Sequence, residues 1–83
     1  MNFLVYVLYS STLDQYYIGH TANIKDRLFR HNNSGSKATK KAVDWIVLYT
    51  ESFQTKSEAT RRELEIKKKK SRKYIEALID SAG

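Results

Sequence analysis

Seven consecutive residues near the start of the chain, residues 3–9, are all apolar or aromatic. Successive side chains of an extended strand point to opposite faces of a sheet, so this segment presents apolar side chains on both. A strand of that kind has to be covered on both sides, which predicts a position in the middle of a sheet. The run is far too short to cross a bilayer and has no basic segment before it, so we expect neither a membrane span nor a signal peptide.

Two further strands are predicted over residues 16–21 and 45–53, where β-branched and aromatic side chains accumulate. The polar residues that precede the first of these segments form the turn of a hairpin with residues 3–9. Regular alternation would divide the apolar side chains of the third strand between two faces. On that basis Ile46 and Leu48 would share one face, and Trp45, Val47 and Tyr49 the other.

Three helices are predicted, over residues 23–33, over residues 56–70 and from Ser71 onward. Asn23 and Ser71 can cap the first and the last of these helices, and Thr55 with Glu58 forms a capping box for the second. The order β-β-α-β-α-α predicts an α+β fold in which helices flank a small three-stranded antiparallel sheet. A length of 83 residues is close to the lower limit for one hydrophobic core, so we expect a single domain over residues 1–83.

The hairpin brings two tyrosines together if Tyr9 lies opposite Tyr16. In that register Tyr6 lies opposite Gly19 and diagonal to Tyr17 on the same face of the sheet. A glycine at this point predicts an open space beside the Tyr6 phenol, into which a ligand or another backbone would fit. A slip of one residue would place the two phenols on opposite faces.

Three polar side chains are predicted to point inward from the helices. Arg27 and His31 are one turn apart on the first helix and therefore project to the same side. Glu63 lies between Ala59 and Ile66 in the inward stripe of the second helix. A buried carboxylate is costly unless it is paired, hydrogen-bonded or bound to a metal. Glu63 therefore indicates either a salt bridge, with Arg27 as a candidate partner, or a metal site.

The inward side chains and the two phenols are suitable for cutting a phosphodiester bond. An arginine stabilises charge on phosphate oxygens, and a carboxylate can hold a divalent ion beside the leaving oxygen. A phenol serves as a general base if a neighbouring cation or metal-bound water lowers its pKa. Each residue also has an ordinary structural interpretation, as a core tyrosine, a core histidine, a surface arginine or a member of a salt bridge.

Positive charge is concentrated in one segment of the chain. Between residues 56 and 73 there are nine Lys or Arg and three Glu, which accounts for the whole formal charge of +6. Such clustering favours a polyanionic partner, with a solvated helix face as the alternative. The small, polar and basic segment over residues 34–42 is predicted to be a loop. The absence of cysteine excludes disulfides and thiolate zinc sites and is consistent with a cytoplasmic location.

The order of these residues resembles the GIY-YIG nuclease family. Leu4-Val5-Tyr6 matches the first motif only at its tyrosine, whereas Tyr17-Ile18-Gly19 matches the second in full. The spacing to Arg27 and then to His31, and the segment over residues 57–63 that ends in a glutamate, are also similar to the family pattern. The resemblance covers about residues 3–79 and is greatest to the small stand-alone bacterial members.

The resemblance implies a metal-dependent endonuclease that hydrolyses phosphodiester bonds with one Mg²⁺ or Mn²⁺ ion. Tyr6 or Tyr17, together with His31, would activate water, Arg27 would hold the scissile phosphate, and Glu63 would ligate the ion. His20 stands where some relatives carry a lysine and is expected to contact phosphate. Further nucleic-acid contacts are expected from basic residues of the loop and of the second helix, namely Lys37, Lys40, Lys41 and Lys67.

DNA is the expected substrate, with RNA as an open alternative, and neither a membrane nor a small-molecule cofactor is expected. Members of the family that act on DNA often add a recognition domain, and since none is present here we expect recognition of shape rather than of sequence, as in DNA repair. Some members use an asparagine downstream of the glutamate, and none follows Glu63. A catalytically weak nucleic-acid-binding module is therefore an alternative, as is a structural role in a ribonucleoprotein or repair assembly. The oligomeric state is left open.

Overall fold

A computed structural model describes residues 2–33 and 41–82. Three strands form one antiparallel sheet in the order β2-β1-β3, and three helices pack on it, which confirms the predicted α+β fold. Among the described residues, no helix is long and apolar enough to pass through a bilayer. In chain order the elements are β1 (Phe3–Ser10), β2 (Gln15–Thr21), α1 (Ile24–Asn33), β3 (Ile46–Phe53), α2 (Lys56–Lys69) and α3 (Arg72–Ala82).

Strand β1 lies in the centre of the sheet, as its apolar side chains predict. It pairs with β2 on one side and with β3 on the other, and Val5, Val7 and Leu8 have no exposed surface. The predicted hairpin register is also confirmed, since Tyr6 lies opposite Gly19. The two phenols of interest are therefore on one face of the sheet.

The sheet separates two hydrophobic cores. On one face, Val5, Val7 and Ile18 pack against side chains of α2 and α3, chiefly Ala59 and Ile66. On the other face, a second core contains Tyr6, Leu8, Ala42 and Trp45, and partly buried residues of α1 pack against it. Each helix thus covers one face, as the two-sided apolar pattern of β1 requires.

A β-bulge in the pairing of β1 with β3 changes the faces of β3. Val7 lies opposite Tyr49, but the next residue of β1, Leu8, lies opposite Val47, so that Leu48 is an additional residue. Val47 packs in the core beside α1, whereas Tyr49 packs in the core beneath α2 and α3. The prediction that Val47 and Tyr49 share a face is therefore wrong.

The predicted helix caps are all in place. The side-chain oxygens of Asn23, Thr55 and Ser71 each accept a hydrogen bond from the backbone amide three residues further on, at 3.1–3.2 Å. Helix α2 ends at Lys69, and Lys70 follows in the left-handed conformation with a φ of 49°. These caps fix where α2 begins and ends, and so which of its side chains reach the sheet.

Arg62 joins α2 to β3 and α3. Its Nε and Nη2 donate to the carboxylate of Glu51 at 3.1 and 3.0 Å, and its Nη1 donates to the hydroxyl of Tyr74 at 3.2 Å. A bidentate pair of this kind is directional. It therefore holds α2 against rotation about its own axis, which also fixes the direction of the adjacent Glu63.

A single carboxylate ties the turn between β1 and β2 to the segment before β3. The oxygens of Asp44 accept hydrogen bonds from the hydroxyls of Ser10 at 2.6 Å, Ser11 at 2.9 Å and Thr12 at 2.9 Å, and from the amide of Thr12 at 3.0 Å. These bonds, that of Ser10 above all, hold the pKa of Asp44 well below its usual range. Asp44 was not singled out from the sequence, because its hydrogen-bonding partners lie more than thirty positions away.

Candidate active site

Tyr6 is buried against the backbone of Gly19. A Cβ atom at position 19 would lie 2.5 Å from the Tyr6 hydroxyl oxygen and 2.7 Å from its Cζ atom. The expectation of an open space beside the phenol is therefore wrong, because the end of the Tyr6 ring itself occupies the space above the glycine. Gly19 is needed here for close approach.

Three rings form the centre of the site. The Tyr6 hydroxyl lies 3.0 Å from Nε2 of His31, and the Tyr17 ring lies 4.9 Å from the His31 ring between centroids. The Tyr6 and Tyr17 rings are 6.5 Å apart, and Trp45 borders Tyr17 at the same distance. The structure thus brings both phenols together with His31, as predicted.

The environment keeps both members of the Tyr6–His31 pair neutral. Burial raises the pKa of Tyr6 well above that of a free phenol, and the neighbouring Tyr17 adds to the effect. Burial lowers the pKa of His31, and the charge of Arg27 lowers it further. At neutral pH the phenol is therefore protonated and the imidazole uncharged, and we assign the Tyr6 O–H as the donor to Nε2.

Arg27 is half-buried beside this pair. Its charge lowers the pKa of His31 and opposes the rise in the pKa of Tyr6, so the guanidinium acts on both rings. Their spacing of one turn on α1 is that of residues on the same side of a helix. We refer to Tyr6, Tyr17, Arg27 and His31 as the phenol half of the site.

Glu63 points inward from α2, as predicted, and only 14% of its side chain is exposed. Its Oε1 atom lies 2.5 Å from Nδ1 of His20, and its Oε2 atom accepts a hydrogen bond from Nζ of Lys67 at 2.7 Å. The salt bridge with Arg27 that the sequence left open is therefore replaced by contacts with His20 and Lys67. We refer to His20, Glu63 and Lys67 as the carboxylate half.

Glu63 is ionised at neutral pH despite its burial. Burial by itself would raise the pKa of this carboxyl, but the hydrogen bonds from Lys67 and His20 outweigh it and lower the pKa below its ordinary value. The other ring nitrogen of His20 lies 3.5 Å from the hydroxyl oxygen of Thr60. His20 is thus held between two residues of α2.

The two halves of the site meet at the outer edge of β2. Side chains alternate along this strand, so Tyr17 and Gly19 face the core beside α1, whereas Ile18 and His20 face α2. Lys67 bridges the edge, because its Nζ atom contacts Glu63 and also lies 5.9 Å from the centroid of the Tyr17 ring. The halves therefore form one continuous surface around the edge strand.

A groove continues from this edge toward the turn between α2 and α3. Its floor is apolar, and its rim carries Lys67, Lys70 and Arg72 together with Asp14, whose carboxylate pairs with Arg72 at 2.5 Å. The two rim lysines suit contact with phosphates. Of the predicted loop contacts, Lys41 is exposed, and Lys37 and Lys40 lie outside the described residues. The groove is lined by residues that include Tyr16, Ile18, Ile66, Ile75, Lys67, Lys70 and Arg72.

A magnesium-type ion fits the carboxylate half. Within residues 2–33 and 41–82 no group of three or more His, Cys, Asp or Glu side chains is arranged to hold a metal. Mg²⁺ does not need one, because it keeps several waters and takes one or two carboxylates together with substrate phosphates. The Lys67 ammonium, 2.7 Å from Oε2 of Glu63, already stands as a cation at this carboxylate and marks the place that a divalent ion would take.

Asn32 supports the site in a way that its sequence position alone did not indicate. Its Nδ2 atom donates to the carbonyl oxygen of Trp45 at 3.0 Å, and its Oδ1 atom accepts from the Trp45 amide at 2.7 Å. This pair of bonds imitates a step of strand pairing and holds Trp45 against α1. The only available signal was that Asn32 directly follows the inward-facing His31.

Comparison with known proteins defines the family to which this chain belongs. A family model described as the GIY-YIG catalytic domain matches residues 2–75, and the chain therefore belongs to the GIY-YIG nuclease family, which confirms the resemblance. Among its relatives are small UPF0213 proteins. That of Halobacterium salinarum is 43% identical over 76 residues, which cover 90% of this chain and 96% of the relative.

Two other relatives extend this comparison. A UPF0213 protein of Staphylococcus haemolyticus is 46% identical over 52 residues, and the match spans 61% of this chain and 63% of the length of that relative. The solution NMR structure of a UPF0213 protein from Bacillus halodurans superposes with a TM-score of 0.61 at 32% identity, over all of this chain and 87% of the other. The fold of this chain is thus similar to an experimentally determined one.

Proposed function

We propose that this protein is a metal-dependent endonuclease that hydrolyses phosphodiester bonds in DNA, directed by the shape of its substrate rather than by sequence. Membership of a nuclease family supports the reaction class. The observation that carries the proposal is the convergence of a buried Tyr6–His31 pair and an ionised Glu63 at the two sides of one edge strand.

The Tyr6–His31 pair supplies a route for the proton of the attacking water. A phenol with a raised pKa is a poor base by itself. Because its O–H is directed at the neutral Nε2 atom of His31, Tyr6 can pass that proton on as its oxygen accepts one from water. No free phenolate is required, and the imidazole is the final acceptor of the proton.

Phosphate binding would fall to Arg27 and to the basic rim of the groove. A guanidinium donates two parallel hydrogen bonds to phosphate oxygens and stabilises the charge that develops on them. A divalent ion bound at Glu63 would neutralise the leaving oxygen. Since Nδ1 of His20 contacts Glu63, we propose that His20 orients this carboxylate in addition to any contact with phosphate.

Recognition of shape follows from the groups that surround the site. Lys67, Lys70 and Arg72 line the groove, and Lys41 is exposed. Contacts of such side chains with phosphates fix position and orientation but carry no information on sequence. We therefore propose that a distorted or branched backbone, rather than a base sequence, selects the place of cleavage.

A second candidate function is a catalytically weak nucleic-acid-binding module. It is favoured by the contacts of Glu63, because both carboxylate oxygens are engaged. In this case the basic groove would be retained for binding, and the phenol half would serve the core beside α1.

Nicking of supercoiled plasmid and of branched and single-stranded oligonucleotides with Mg²⁺ or Mn²⁺ separates the two candidates. We expect Tyr6→Phe and Glu63→Gln to lower the rate by about 10²-fold or more, and to leave DNA affinity within severalfold. Matched controls are Tyr9→Phe on the same strand and Glu65→Gln on the same helix, both outside the site. A wild-type protein that cuts none of these substrates but binds them would favour the second candidate, and binding that does not depend on salt would contradict both.

A further inference from the structure

The two oxygens of Glu63 are held by groups of unequal mobility. Oε1 is held by His20, which is 23% exposed and is itself bonded to α2 through Thr60. Oε2 is held by the ammonium group of Lys67, whose side chain is 44% exposed and has a flexible four-carbon stem. Of the two groups, Lys67 is therefore the one that can leave the carboxylate without disturbing the fold.

The Lys67 ammonium occupies a position that a divalent ion bound at Glu63 would need. It lies 2.7 Å from Oε2, within the range of a charge-assisted hydrogen bond. Two cations at one carboxylate oxygen repel each other strongly in a partly buried site. Binding of a divalent ion there therefore requires Lys67 to move.

A released Lys67 is already beside the phenol half. Its Nζ atom lies 5.9 Å from the centroid of Tyr17, and the residue also lines the groove that leads to Lys70 and Arg72. An ammonium that has lost its carboxylate is best satisfied by another anion, and a phosphate of nucleic acid in this groove would supply one.

We propose that Lys67 couples the two ligands of the site: it neutralises Glu63 in the free protein, and it transfers to a phosphate of the nucleic acid when a divalent cation takes the carboxylate. This inference rests on the proposed function and adds a regulatory step to it. Each ligand then favours the other, because nucleic acid draws Lys67 away from Glu63 and the cation displaces it toward nucleic acid. By linkage the two effects are equal in size.

Binding of Mn²⁺ to the protein without nucleic acid tests the first half of this inference. Lys67→Met removes the competing ammonium, and we expect it to bind Mn²⁺ about threefold to tenfold more tightly than the wild type, as measured by electron paramagnetic resonance of the free ion. Lys68→Met is the matched control, since it changes the net charge equally on the next, exposed residue of α2. An affinity of Lys67→Met no higher than that of Lys68→Met would overturn the proposal.

Anisotropy with a labelled branched DNA tests the second half, in a Tyr6→Phe background that keeps the DNA intact. We expect Mn²⁺ to tighten DNA binding severalfold when Lys67 is present and by a clearly smaller factor when Lys67→Met is added, because only the ion's own contact with phosphate then remains. Equal tightening in both proteins would overturn the coupling. Neither measurement depends on cleavage, so a wild-type protein that fails to nick DNA would refute the proposed endonuclease while the role of Lys67 is judged separately.

Discussion

Tyr6 and His31 are joined by a 3.0 Å hydrogen bond between two buried rings whose pKa values are shifted in opposite directions. Burial opposes the charged form of each group, so the phenol keeps its proton and the imidazole remains without a second one. The pair is therefore neutral at rest and can still pass a proton along its hydrogen bond. Charge would appear on the pair only during a reaction.

The stability of the protein is expected to fall as the pH drops below the ordinary pKa of histidine, about 6.5. The pKa of His31 is lower in the folded state, so below this pH the unfolded chain binds a proton that the folded chain does not. Urea unfolding at several pH values between 5 and 8 measures the effect. His31→Gln retains an acceptor for Tyr6 and should show a weaker dependence, and since His20 is present in both proteins, identical profiles would contradict the prediction.

Gly19→Ala is expected to destabilise the fold by about 1–3 kcal/mol, because the new methyl group would overlap the end of the Tyr6 ring. The test is a double-mutant cycle with Tyr6→Leu, which removes the overlapping atoms. In that background the cost of Gly19→Ala should largely disappear when unfolding is followed by circular dichroism. An equal cost with and without the Tyr6 ring would show that the glycine is needed for another reason.

Asp44→Asn is expected to lower stability at neutral pH and to have a smaller effect in acid. The folded pKa of Asp44 is depressed, so its contribution is complete above the unfolded pKa of about 3.9 and is lost as the pH falls further. Thermal unfolding of both proteins from pH 7 to pH 2 gives the comparison. A difference in Tm that does not shrink in acid would argue against a charge-dependent role for the four hydrogen bonds at this carboxylate.

Neutralising the end of α2 is expected to reduce the salt dependence of DNA binding. Combined replacement of Lys68, Lys69 and Lys70 by Gln should lower the slope of log K against log salt concentration by about 0.9 for each duplex phosphate contact that is lost. Lys25→Gln, an exposed change on α1, provides the comparison per lysine. Equal effects per charge at both places would mean that the basic run is a solvated surface.

The sheet and its register were predictable because two strong patterns agree. The apolar side chains of β1 on both alternations require a central strand, and the pairing of Tyr9 with Tyr16 brings Tyr6 to the one residue without a side chain, Gly19. With the Tyr6 ring in its observed position, a Cβ atom at position 19 would overlap the hydroxyl end of the ring. The apolar pattern of β1 and the pairing of the hairpin thus favour the same register.

The partners of Glu63 were only partly predictable. Its inward position on α2 indicated that it needed one, and Lys67 four residues later is a local signal that was available. His20 is 43 positions away and is brought to Glu63 by the packing of α2 on the sheet. Because this packing cannot be read from the sequence, the sequence gives no reason to prefer His20 over Arg27 as the partner of Glu63.

The amino-acid composition of β3 gave no indication of its bulge. Residues 45–49 are all apolar or aromatic, so no polar side chain marks where the alternation changes. Leu48 is 36% exposed although it lies among these residues. Periodicity cannot locate an additional residue in a segment that is apolar at every position.

Because of that additional residue, the length of β3 determines which of its side chains face α1 and which face α2. With Leu48 in place, Val47 faces α1 while Glu51 faces Arg62 on α2. Deleting one residue here would turn half of the strand over. Val47, which packs with Trp45 beside α1, and Glu51, which pairs with Arg62, would then point to the same face of the sheet. Substitution of the partly exposed Leu48 is therefore expected to be tolerated, whereas deletion of one residue would disrupt either the packing of Val47 beside α1 or the pairing of Glu51 with Arg62.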